Sequence, residues 1–260
     1  MRTEPASQID MPLRDALITY LTALADDELL LGHRDSEWTG HAPILEEDIA
    51  FSNLAQDEMG HALTWYSLAH DLGGLHPDRA AFQRPADEFR NATLVELPVG
   101  DWAFTVVRQY LFDAAEQVRY AAMLDSAYRP IADAAAKLRS EETYHIMHSR
   151  GWVQRLGDAT EESHRRMQTA LDQAWTHALG LFEPTSHEIV LVTEKIKPAE
   201  ENLRDQWLTQ IRSVLEAATL VVPAATSDSA GGRSGHHTHH VHQLLAEMQK
   251  VARLEPEATW

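Results

Sequence analysis

Two tetrapeptides carry the residue types needed to hold a metal ion. Glu58-Met59-Gly60-His61 and Glu142-Thr143-Tyr144-His145 both read Glu-x-x-His. Residues three apart on a helix share a face, so each pair would project one carboxylate and one imidazole into the same space. A helical core that brought both pairs together could grip two ions if two further helices each supplied an inward glutamate. Glu28, on the face of Leu24 and Leu31, and Glu116, on the face of Phe112 and Tyr120, are the candidates. Carboxylates with imidazoles form a donor set suited to two iron ions, with manganese the alternative, rather than to copper or structural zinc. Burying four carboxylates without that countercharge would be costly. The competing reading, solvated helix-surface residues, is weakened because the motif occurs twice. Glu46, Glu47, Asp57 and Glu141 are assigned to solvent.

Four long helices must position these residues, and apolar periodicity predicts them. They run over Leu13–His33, Ile44–Leu72, 101 to about 127 and 130 to about 156. Gly40 and Pro43 mark the first turn, Gly73-Gly74 end the second helix, Asp101 stands where an N-cap belongs and Pro130 opens the fourth helix. Residues 75–100, interrupted by Pro77, Pro85, Pro98 and Gly100, form a long irregular link between the two pairs. Two helix pairs joined by one long crossover are the ferritin-like arrangement, so the expected class is all-α. The separations of 30 residues from Glu28 to Glu58 and 26 from Glu116 to Glu142 suit antiparallel partners at similar depth. Further helices are expected near 160–180, 187–195, 198–218 and 238–253, with 223–235 read as a linker. One domain spanning 1–260 is expected, with the core bundle at about 13–156 and extra helices at about 160–253.

Composition narrows the function. The chain has 260 residues, 40 acidic against 22 basic, for a net charge of −18, which disfavours a nucleic-acid partner. Cysteine is absent, excluding disulfides and thiolate metal sites. No apolar run approaches the ~18–20 residues that span a bilayer, and residues 1–15 lack a signal-peptide pattern, so no membrane role and a cytoplasmic location are expected. Gly235-His236-His237-Thr238-His239-His240-Val241-His242 reads as a loop-to-helix junction rather than a metal site. Trp38, Trp102 and Trp152 read as core or interface anchors. Trp152, Trp175, Leu179, Trp207 and Trp260 are expected to contribute to an exposed apolar docking patch.

The segments LGHRDSEWTGHAPILEEDIAFSNLAQDEMGHA, VELPVGDWAFTVVRQYLFDAAEQ, YHIMHSRGWVQRLG and LLAEMQ extend through most of the chain. They resemble the PaaC-type subunit of the ring-1,2-phenylacetyl-CoA epoxidase complex. The resemblance implies a ferritin-like helical subunit that pairs with a catalytic PaaA-type subunit. In that complex a PaaB-type subunit and a reductase take part in epoxidising the ring of phenylacetyl-CoA with O2. It also suggests that the crossover, at Phe89, Arg90 and Asn91, contacts the acyl-CoA. PaaC-type subunits are regarded as structural and lacking several ligand positions, whereas here Glu28, Glu58, His61, Glu116, Glu142 and His145 are all present. Three roles follow as alternatives: an epoxidase component with an intact di-metal site, a non-catalytic scaffold for the PaaA-type subunit, or a stand-alone ferritin-like metal- or peroxide-handling protein. A dimer or an unstable monomer is expected for the chain alone.

Overall fold

The computed structural model describes residues 9–224 and 231–255. Among them the secondary structure is helical, without strands, and the class is all-α and ferritin-like. The helices are α1 (Met11–Ser36), α2 (Leu45–Asp71), α3 (Pro77–Phe82), α4 (Trp102–Met123) and α5 (Arg129–Gly157). They continue as α6 (Glu161–Leu179), α7 (Glu188–Thr193), α8 (Glu200–Ala217), α9 (His239–Met248) and α10 (Lys250–Leu254). The chain divides into two compact units: Met1–Pro98 with Thr185–Val190 and Gly231–Trp260, and Val99–Pro184 with Leu191–Ala230.

The first unit is built on the pairing of α1 with α2. Residues 23–32 of α1 are buried on every side, the mark of a core helix rather than a surface one. That stretch includes three consecutive acids, Asp26, Asp27 and Glu28. Successive helical residues step about 100° around the axis, so each acid meets different neighbours. Asp26 accepts from Tyr66 and Arg84, and its Oδ2 takes the Arg90 backbone N–H at 2.7 Å. Asp27 accepts the Ala92 N–H at 2.7 Å and the Arg233 guanidinium at 2.6 Å. Glu28 faces His61.

The long link is less irregular than expected. Pro77, at a position where its missing N–H costs nothing, opens α3, and 3-10 turns follow at Ala86–Glu88 and Thr93–Glu96. Arg34 Nη2 donates to the Glu96 carbonyl at 2.6 Å, tying the crossover to α1.

Residues 231–235, expected to be part of a linker, are instead packed in. Arg233 donates to the Ala23 and Arg90 carbonyls at 3.2 and 2.9 Å as well as to Asp27. Gly232 lies so close to the Asn91 carbonyl that a Cβ there would sit 2.2 Å from its oxygen. Residues 225–230 of the expected linker lie outside the described residues. The histidine-rich stretch is a loop-to-helix junction: the Glu96 carboxylate accepts the Thr238 N–H at 2.7 Å and the Thr238 hydroxyl at 2.6 Å, and pairs with His237 Nδ1 at 2.6 Å. Thr238 then caps α9. The single helix expected over 238–253 is divided at Gln249, whose buried side-chain amide donates to the Arg84 carbonyl at 3.0 Å.

In the second unit α4 packs against α5, α6 and α8. Asp101 caps α4 as expected, accepting the Phe104 N–H at 3.0 Å, and a Thr160–Ser163 capping box opens α6. The expected docking patch is corrected here. Trp175, Leu179 and Trp207 are buried, because the apolar faces of α6 and α8 are used up against α4. Trp175 stacks on Trp207 at 5.7 Å, Phe182 leans on Trp207, and Trp207 Nε1 donates to the Leu111 carbonyl at 3.0 Å. Trp152 is half-buried, edge-on to Trp102 at 5.7 Å, and Trp260 lies outside the described residues.

Two outcomes are expected. Trp207→Ala should lose about 3–5 kcal/mol of stability in urea titrations, the usual cost of emptying a buried aromatic site. His237 gives a pH signature. Burial lowers its pKa, but the Glu96 carboxylate outweighs burial and leaves it above the ordinary 6.5. A raised pKa contributes stability that is full below about pH 6.5 and lost as pH rises through the folded value. The stability gap between wild type and His237→Asn should therefore narrow from pH 6 to pH 9, and an unchanged gap would contradict the pairing.

Candidate metal centre

All six residues singled out by spacing are buried. Exposure is 1% or less for Glu28, Glu58, His61, Glu116, Glu142 and His145. Each unit carries three of them, and the two sets differ in local geometry.

In the first unit Glu28 comes from α1 and the Glu58–His61 pair from one face of α2. His61 Nδ1 stands 3.8 Å from Glu28 Oε1 and 3.6 Å from Glu58 Oε2. Both separations exceed the usual N–H···O range of about 2.7–3.2 Å. One donor atom from each residue lies within 4.8 Å of the others, a spacing compatible with a shared ion. Two carboxylates and an imidazole, all buried, fit a divalent ion with a preference for oxygen and nitrogen, such as iron or manganese. Burial alone would lower the His61 pKa, but Glu28 and Glu58 overcome it and push it up to about 12. In the metal-free chain the imidazole therefore carries a proton that offsets part of the carboxylate charge. An ion held by this nitrogen would require the release of that proton to solvent.

Gly32 allows the close approach of α1 to α2 at this point. A Cβ on it would meet Glu58 Cβ at 2.9 Å and the Ala55 carbonyl oxygen at 3.1 Å.

In the second unit Glu142 and His145 share one face of α5, and His145 Nδ1 lies 3.1 Å from Glu142 Oε1, a hydrogen-bonded separation. Glu116 on α4 is ion-paired with Arg119, one turn along the same helix. Arg119 also donates to the Leu181 carbonyl at 3.0 Å and lies 3.7 Å from Glu200, which pairs with Lys197 at 3.0 Å. Asp113 also points inward, accepting from Gln109 at 2.8 Å and Ser149 at 2.6 Å, while half-buried Gln117 bonds to Gln210. The buried face of α4 therefore holds both acids.

Among the near neighbours assigned to solvent, Glu46 is exposed, and Asp57 and Glu141 are half-buried. Glu47 departs from expectation: it is buried, because α2 turns that side inward along with Ala50 and Phe51. Phe89, Arg90 and Asn91 are taken up in holding the crossover. Phe89 lies under the Arg84 guanidinium at 4.2 Å, Arg90 Nη1 donates to the Asp87 and Phe89 carbonyls at 2.7 Å each, and Asn91 Nδ2 donates to Glu96 Oε1 at 3.0 Å. Sequence reasoning missed Arg119, Lys197, Glu200 and Gly32. The three-residue steps from Glu116 to Arg119 and from Lys197 to Glu200 were the signals there to be read.

The profile of the phenylacetic acid catabolic protein family matches residues 1–260. The chain belongs to that family. It is 37% identical to the C component of the Escherichia coli (strain K12) 1,2-phenylacetyl-CoA epoxidase over 245 residues, 94% of this chain and 99% of the relative. It is 26% identical to the A component of the same organism's epoxidase over 226 residues, 85% of this chain and 72% of the relative. The phenylacetic acid catabolic family thus takes in relatives of two different types, and this member shares more with the C component.

Gly32→Ala should force α1 from α2, lower stability by about 1–3 kcal/mol and weaken manganese binding by the purified chain. Gly60, beside His61, has nothing within 4 Å of its would-be Cβ, so Gly60→Ala should leave binding intact and gain a little helical stability. Equal effects from the two substitutions would contradict the close-approach role of Gly32.

Proposed function

We propose that this chain serves as the PaaC-type subunit of a ring epoxidase acting on phenylacetyl-CoA, working as a support for a PaaA-type subunit in an O2-using complex. The observation that carries this reading is the near end-to-end similarity to the C component of the Escherichia coli epoxidase, higher in identity and in coverage than the similarity to the A component. A PaaB-type subunit and a reductase complete the proposed assembly, and self-association is proposed for the chain alone. The proposed location is the cytoplasm. Among the described residues no helix is long and apolar enough to cross a membrane.

The donor chemistry supports an iron ion, or manganese in its place, held by Glu28, Glu58 and His61. Glu116, Glu142 and His145 are the donors proposed for a second ion. When bound, iron would supply redox chemistry toward O2. The chain's own residues supply the rest: Glu28 and Glu58 would balance charge, His61 would release its proton to solvent and offer the freed nitrogen, and Leu24, Leu31 and Leu54 of the same two helices are buried. The pairing of Glu116 with Arg119 favours the supporting role over an independent oxygenase, since one of the six expected ligands is already engaged by a fixed cation.

Co-expression with a PaaA-type subunit is the test. The two chains should co-purify and elute as one species in light scattering, and phenylacetyl-CoA should be consumed only when both are present with the other components. Absence of any association would overturn the assignment. Epoxidation by this chain with a reductase alone would make its own centre catalytic.

A further inference from the structure

Two helices turn an uncharged side to solvent. On α5 the outward positions are Ala136, Ser140, Tyr144, Met147, Gly151 and Gln154, three or four residues apart and exposed or half-buried. Tyr144 is 42% and Met147 55% exposed. The Ser140 hydroxyl is turned back on the Lys137 carbonyl at 2.8 Å, and nothing lies within 4 Å of a Cβ built on Gly151. On α2 the outward positions are Leu45, Ile49, Ser52, Gln56, Gly60 and Leu63, with Leu45 72%, Ile49 55% and Leu63 56% exposed. Gly60 is open in the same way as Gly151. Each strip runs 18 residues, from 136 to 154 and from 45 to 63, which is about 27 Å of helix. In a chain with 40 acidic and 22 basic residues, a helix side that only meets water would be expected to carry charge.

The flanks of the two strips differ in sign. Lys137, Arg139, Arg150 and Arg155 border the α5 strip, all exposed, and Arg139 and Arg150 have no ion pair among the described residues. Helix α2 contains neither lysine nor arginine, and exposed Glu46 and half-buried Asp57 border its strip on one side. Arg139 and Arg150 are 11 residues apart, as are Glu46 and Asp57. Eleven residues are three helical turns, so each pair stays on one side of its strip. We propose that α5 of one copy of this chain docks against α2 of a second copy, the uncharged strips packing together and the Arg139–Arg150 flank lying along the Glu46–Asp57 flank. The proposal gives a surface to the self-association put forward above and rests on it. A second copy is the occupant because equal length, matched spacing and opposite charge all lie within this one sequence. Pairing α5 with α5, or α2 with α2, would set like flanks against each other. Gly60 and Gly151 leave notches that admit the ridge of a facing helix. One helix pair of this length is at the small end of specific interfaces, so the association is concentration-dependent.

The experiment is sedimentation velocity on the full-length chain over a concentration series, at low and high salt. Wild type should self-associate, and several-fold more weakly at high salt, because exposed charge pairs are screened. Arg139→Glu with Arg150→Glu, and separately Glu46→Lys with Asp57→Lys, should each weaken self-association about tenfold or more, since like charges then face one another. An equimolar mixture of these two double variants should associate as wild type does, because each α5 then has an α2 of opposite charge to meet. Circular dichroism checks that each variant is folded. Met147→Ser, an exposed and uncharged site, should also weaken the association and decides the matter if a charge variant does not fold. Both double variants should still co-purify with a PaaA-type subunit. Unchanged self-association in folded variants, or no recovery in the mixture, would overturn the surface. Loss of PaaA co-purification with self-association intact would give the surface to that subunit and overturn the second copy as its occupant. A wild-type chain that stays monomeric throughout removes the self-association and this surface with it. Self-association that follows the charge pattern without any PaaA-type association upholds the surface and counts only against the proposed epoxidase role.

Discussion

The burial of three consecutive carboxylates in α1 is the constraint around which the first unit is organised. A carboxylate taken out of water is tolerable only with a cation and hydrogen-bond donors to replace its hydration. Asp26 recruits Arg84 and the Tyr66 hydroxyl, which sets the start of the crossover. Asp27 recruits Arg233, which draws in a segment from the far end of the chain. Glu28 has His61, whose Nδ1 stands 3.8 Å away. Two of the acids therefore tie remote segments into the unit, and the third stands beside the α2 pair Glu58 and His61.

The second unit meets the same difficulty with fixed cations. Arg119 and Lys197 hold Glu116 and Glu200, and this ionic chain anchors the first turn of α8 and the Gly180–Phe182 turn to α4. The gain is rigidity, since the planar guanidinium fork of Arg119 meets both a carboxylate and the Leu181 carbonyl in fixed directions. The first unit thus balances Glu28 with an imidazole, and the second balances Glu116 and Glu200 with a guanidinium and an ammonium group.

The long helices were legible because their apolar residues recur at helical spacing over five or more turns, and because Asp101, Pro130 and Gly73 sit where caps and stops belong. The Glu-x-x-His pairs were legible for the same reason: three residues apart means one face. Partners remote in sequence could not be read this way. Arg84 lies 58 residues from Asp26, and Arg233 lies 206 from Asp27, so no local pattern links them. Gly231–Gly235 looked like a linker because glycine marks both flexible chain and close contact, and only the nearby Asn91 carbonyl distinguishes the two. The tryptophans of α6 and α8 were read as exposed because their burying surface belongs to α4, far away in the chain.

Arg233 has a consequence for the order in which the protein can fold as it leaves the ribosome. The first unit is discontinuous, with α1 and α2 made early and Arg233 made only after the residues of the second unit. Folding during synthesis proceeds from the N-terminus at roughly 5–20 residues per second. By that rate Asp27 precedes its guanidinium partner by on the order of ten seconds or more. Within that interval Val99–Pro184 and Leu191–Ala230 emerge and can pack their own core. The unit begun first is thus the one completed last, and a chain truncated before residue 233 would retain the second core while leaving the α1 acids short of a cation.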